Sequence, residues 1–98
     1  MASDQPLNSD RFWCNGRLPI VFDMETGDMD DFATLLLLLG HPLVNLKAVT
    51  IVPGTPDQIG FVRYVLSLFG RADLPLGVFN MNAKPALSKF HYRVYDPR

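Results

Sequence analysis

The strongest constraint on the fold is a change of character at Asp23. Leu18–Phe22 is a short apolar run, and Phe32–Leu39 is a longer one. Between them stand five acids within nine residues: Asp23, Glu25, Asp28, Asp30 and Asp31. Both apolar runs need burial, whereas a turn with five carboxylates needs water or a cation. The first run is too short for a helix and turns polar abruptly, so it reads as a buried strand. Gly27 is expected to supply the bend that lets the carboxylates converge. Asp28–Asp31 then open a helix, with Asp28 as N-cap and acids in a first turn where the helix dipole favours them. Phe32–Leu39 continues it. Five leucines in a row, Leu35–Leu39, leave no amphipathic stripe, so this helix is expected to be covered on most sides. Gly40 and Pro42 stop it.

The same alternation repeats downstream. Leu46–Val52 is rich in β-branched residues and reads as a second strand, ended by Pro53 and Gly54. Thr55-Pro-Asp-Gln58 has the form of a capping box, with Thr at the N-cap, Pro at N1 and Gln at N3. Ile59, Val62, Leu66 and Phe69 recur at helical spacing as the expected buried stripe, and Gly70 ends that helix. Leu74–Phe79 is a third short strand, and residues 80–98 read as loop with an aromatic patch. Strand, helix, strand, helix, strand is the pattern of an α/β fold, a Rossmann-like parallel sheet with right-handed crossovers. In such sheets ligands bind outside the carboxyl ends of the strands. The acid turn, the Pro53-Gly54-Thr55 loop and Asn80-Met-Asn82 all follow strands and so share that edge. Residues 1–17 are polar and read as a flexible leader, with Phe12 and Trp13 tucked against the body; residues 18–98 form the domain.

Composition sharpens the picture through distribution. The 98 residues carry nine Lys and Arg against ten Asp and Glu, for a net charge of −1. Half of the acids lie in the one turn, so the rest of the chain carries net +4. There is no Lys/Arg run of the kind that nucleic-acid binders show. The longest apolar stretch falls far short of the roughly 20 residues of a membrane span. The N-terminal segment has no apolar signal core, and the single cysteine, Cys14, suits a reducing compartment, so a cytoplasmic protein is expected. One cysteine also excludes an internal disulfide and a Cys-rich zinc site.

Oxygen-only donors at close spacing favour a hard cation, Ca2+ or alternatively Mg2+. A cation held there lowers the pKa of bound water, and a neighbouring acid serves as base or holds a hydroxyl. Asp28, Asp30 and Asp31 singly are also what an ordinary solvated helix start contains. That explanation does not reach Asp23 and Glu25, which close a buried strand.

Asp23-x-Glu25-x-Gly27-x-x-Asp30-Asp31 resembles the DxDxGxDD signature of the nucleoside hydrolases that prefer inosine and uridine. Leu35-Leu-Leu-Leu-Leu-Gly-His41-Pro42, Val49-Thr-Ile-Val-Pro-Gly54 and Arg71-Ala-Asp-Leu-Pro-Leu-Gly77 resemble the family's first helix end, second strand and approach to the third. The likeness runs over about residues 18–80. It implies the N-terminal β-α-β-α-β portion of the nucleoside hydrolase fold, and Ca2+-dependent hydrolysis of a ribonucleoside to ribose and base. By position it implies Glu25 as base and metal ligand, Asp30 as the ribose contact and Asp31 as a metal ligand. Asp23 and Asp28 complete the candidate ligand set. The chain departs from the pattern at Glu25, where the family has Asp, and at Thr55, where it often has Asn. One additional residue precedes the Asp pair, and Asp28 is an added acid. Family members are several times longer, and their further ligands and leaving-group acid lie beyond this stretch. A truncated domain with weak or no activity of its own is therefore expected, with exposed apolar surface that drives homo-oligomerisation.

Two other readings compete. Haloacid-dehalogenase-type phosphatases begin with a strand and a DxDx[TV] turn, to which Asp23-Met-Glu25-Thr26 is similar, but they lack the closing Asp pair. A metal-binding or interaction fragment without chemistry is the third. Elsewhere His41 reads as a helix C-cap, and His91 as an aromatic-patch residue or a leaving-group acid in a longer chain. Arg63, Arg71 and Arg93 read as surface, and Asn80 and Asn82 as loop.

Overall fold

The structure, a computed structural model, describes residues 16–84 and 87–95. The leader with Phe12, Trp13 and Cys14 lies, up to residue 15, outside the described residues. Six elements follow in order: β1 (Leu18–Met24), α1 (Asp30–Gly40), β2 (Val44–Ile51), α2 (Pro56–Leu68), β3 (Leu76–Val78) and α3 (Lys89–Val94). The three strands form one sheet in the order β1-β2-β3, and both pairings are parallel. This is the expected Rossmann-like β-α-β-α-β arrangement.

Helices α1 and α2 contribute to one core cluster with the inward residues of the strands, so both cover the same face of the sheet. The side chains record this. Ile20, Phe22 and Met24 of β1 pack into the core, and Pro19, Val21 and Asp23 alternate to the open face, where Val21 is 64% exposed. Between Ile20 and Val21 the register slips by one residue, so Lys47 has no partner across the ladder and is exposed while Leu46 and Val49 stay buried. Leu35, Leu46, Val49, Ile51, Phe61, Val62, Val65 and Leu66 form the fully buried centre. Each such side chain contributes roughly 1.5–3 kcal/mol through burial. No helix among the described residues is long and apolar enough to cross a membrane.

Four sequence expectations change. Helix α1 begins at Asp30 rather than Asp28; its N-cap is Met29, with no side-chain cap bond. The leucine row is not covered on most sides: Leu35 is fully buried but Leu37 is 65% exposed, because none of the described elements covers the outer side of α1. In α2 the buried stripe runs through Phe61, Val62, Val65 and Leu66, while Phe69 is the C-cap and 42% exposed. Residues 89–94, expected as loop, form α3, which lays Phe90 and His91 against Phe32 of α1.

Candidate functional site

All three strands run the same way, so the segments after β1, β2 and β3 meet at one pole, as expected. Backbone bonds hold them together there. Val52 N–H donates to the Met24 carbonyl at 2.9 Å, and Phe79 N–H to the Pro53 carbonyl at 3.0 Å. Helix α3 joins this pole through Ser88 N–H, which donates to the Thr26 carbonyl at 3.1 Å.

Of the five acids, the structure brings three to a point. Carboxylate oxygens of Glu25, Asp28 and Asp30 lie within 4.8 Å of one another, all on exposed residues. Among the described residues the one ion pair is Arg71–Asp73, so none of their basic side chains neutralises this group. A carboxyl–carboxyl hydrogen bond with Asp30 raises the pKa of Asp28 above the ordinary value, and the same bond lowers that of Asp30. Three clustered carboxylates are an oxygen donor set suited to a hard cation, with water completing the coordination.

The remaining two acids are engaged differently. Asp31 Oδ2 accepts the Glu25 N–H at 3.0 Å, which ties the helix start back to the strand end. Asp23 lies on the open sheet face, where its Oδ1 accepts the Thr50 hydroxyl at 2.6 Å. A cavity of about 290 Å3 borders Asp23, Thr50, Gly77 and Phe79 on that face. Gly27 opens the bend over residues 27–29, as foreseen, without entering the left-handed region. Its N–H donates to Glu25 Oε1 at 3.0 Å, and a Cβ there would stand 2.8 Å from Glu25 Oε2. A side chain at 27 would therefore displace the Glu25 carboxylate from this position.

Sequence reasoning missed a buried network beneath the acids. Thr26 and Gln58 are both fully buried. The Gln58 amide nitrogen donates to Thr26 Oγ1 at 2.8 Å and to the Val52 carbonyl at 3.1 Å. Its amide oxygen accepts from Gly54 N–H at 2.8 Å and Thr55 N–H at 2.9 Å. Thr55 Oγ1 accepts from Gln58 N–H at 3.3 Å, which completes the capping box. The box was legible as Thr55-x-x-Gln58; the second use of the Gln58 amide carried no local signal.

His91 was also underread. It is fully buried, with ring centroids 4.8 Å from Phe61 and 5.8 Å from Phe32. Its Nδ1 shares a hydrogen bond of 2.6 Å with Ser88 Oγ, and its Nε2 has no hydrogen-bond partner among the described residues. Burial lowers its pKa, and the Glu25 charge acts in the opposite direction. His41 is the C-cap of α1, and its Nδ1 accepts the Leu43 N–H at 3.0 Å. Arg63 and Arg71 donate to the Leu74 and Leu46 carbonyls. Asn80 Oδ1 accepts the Asn82 N–H in a local turn at the same pole.

No family model matches the chain, and no solved structure is significantly similar. Among curated proteins it is similar to the pyrimidine-specific ribonucleoside hydrolase RihA of Citrobacter koseri, 39% identical over 62 residues, which is 60% of this chain and 20% of that protein. The protein of the same name from a Shewanella species is 39% identical over 61 residues, 59% of this chain and 19% of the relative. A protein of Aquifex aeolicus is 30% identical over 83 residues, 79% of this chain and 27% of its own length. The chain thus spans about a fifth to a quarter of the length of the curated relatives it matches.

Proposed function

We propose that the chain is the cation-binding N-terminal portion of a nucleoside-hydrolase-like domain, acting on the N-glycosidic bond of a ribonucleoside. The observation that carries this reading is the convergence of Glu25, Asp28 and Asp30 at the carboxyl pole of a parallel sheet. The partial similarity to ribonucleoside hydrolases supports the reaction class.

In this reading Glu25, Asp28 and Asp30 hold Ca2+. Asp23 and Asp31 would be further ligands. The cation supplies positive charge that acidifies water and orients a ribose diol. Glu25 takes the proton of the attacking water, and Asp30 accepts a hydrogen bond from a ribose hydroxyl. Water adds at the anomeric carbon, the C–N bond breaks, and its electron pair leaves with the base, which takes up a proton. The oxocarbenium-like transition state is stabilised by the surrounding carboxylates. The group that protonates the base is assigned to residues beyond this chain. The open sheet face, with Val21 and Val52 exposed, is read as the surface through which the chain self-associates.

Calorimetric titration of the 98-residue chain with CaCl2, paired with reducing-sugar release from uridine and inosine, tests the reading. Saturable Ca2+ binding with little or no turnover is expected. Absence of saturable binding overturns it, and turnover of p-nitrophenyl phosphate with Mg2+ would point to a phosphatase instead.

A further inference from the structure

We infer that Thr26 and Gln58 are positioning residues that hold the acid turn in its cation-binding shape; this rests on the cation site proposed above. A capping box needs only an acceptor at N3, and the Gln58 oxygen meets that need by accepting from Gly54 and Thr55 N–H. The amide nitrogen has a separate task. It reaches out of its own helix to Thr26 Oγ1, across 32 positions of sequence, and to the Val52 carbonyl.

Thr26 is the fully buried residue of a turn whose acids are exposed. It lies directly between Glu25 and Gly27, whose own contact sets the Glu25 carboxylate. From the other side Ser88 N–H grips its carbonyl. Three mutually repelling carboxylates tend to spread when no cation sits among them. The clamp opposes that spread from beneath, through a residue that touches no ion. Supporting groups of this kind typically change metal affinity by about 10- to 100-fold.

The test is Ca2+ calorimetry on the full chain with three variants, each also melted by circular dichroism. Thr26→Val keeps the shape of the side chain and removes Oγ1; it is expected to raise the Ca2+ Kd by about 10-fold and to narrow the preference for Ca2+ over Mg2+. Thr26→Ser restores the oxygen and is expected to bind within about 2-fold of wild type. Thr55→Val removes the cap acceptor but leaves the Thr26–Gln58 bond, so its melting temperature falls while its Ca2+ affinity stays. Wild-type binding with an unmoved Thr26→Val overturns the clamp alone. So does a loss of affinity in Thr26→Val and Thr55→Val alike, in step with lost stability. A wild-type chain that binds no Ca2+ overturns the cation site and the clamp together.

Discussion

Two helices start at the same pole of the sheet, and they start in opposite ways. Helix α2 has a complete capping box, Pro at its first turn and a buried N3 side chain. Helix α1 has acids all around its start and no side-chain cap. Asp28, the residue chemically suited to cap it, instead bonds to Asp30. Met29, at the N-cap, is in the αR region with φ −97° and ψ 0°, where a cap side chain does not reach the free N–H groups. One start is built for stability. The other forgoes a cap and gathers negative charge, the compromise common at binding sites.

Removing one carboxylate from the α1 start breaks this contrast most directly. Glu25→Gln is expected to weaken Ca2+ binding by about 100-fold, because each anionic ligand shifts affinity by large factors in such sites. The melting temperature is expected to hold or rise, since repulsion within the trio falls. Calorimetry and thermal melting of the same samples check both halves. Unchanged Ca2+ affinity would remove Glu25 from the site.

The complementary change lies in α2. Thr55→Val deletes the N-cap acceptor and is expected to cost about 1 kcal/mol. For a domain of this size that lowers the melting temperature by roughly 4–8 °C. A loss confined to stability confirms that the two starts are specialised; an equal loss of Ca2+ affinity would merge them.

The contrast also separates what was legible in the sequence from what was not. Leu18–Phe22, the Thr55-x-x-Gln58 box and the Gly and Pro breaks announced the α/β alternation, because burial and capping are local signals. The site pole followed from parallel topology. The start of α1 misled, because Asp28 has the chemistry of a cap and only the folded turn decides which carboxylates pair. Thr26 stood out only as part of the phosphatase-like Asp23-Met-Glu25-Thr26 turn, yet it is the buried anchor; a hydrogen bond across 32 positions leaves no trace in local spacing. Helix α3 escaped notice for a similar reason. It holds six residues, and Ser88, its N-cap, turns its hydroxyl to His91 rather than to the helix backbone.

His91 offers the smallest and most specific effect, at the point where α3 closes over both helix starts. Burial among Phe32, Phe61 and Phe90 lowers its pKa below the ordinary imidazole value, with the Glu25 charge as the opposing influence. The folded state therefore favours the neutral ring. Its contribution to stability is fully present above the unfolded-state pKa of about 6.5, and it is lost as pH falls through the lower folded-state value. Stability is thus expected to hold from pH 8 to about 6.5 and to decline below that. The His91 contribution is read as a difference between wild type and His91→Phe. The variant is expected to lack the decline just below pH 6.5 in urea denaturation series, while both chains share the later acid transition. If the two stability curves run parallel from pH 8 to pH 5, His91 does not couple α3 to the pole through its charge state.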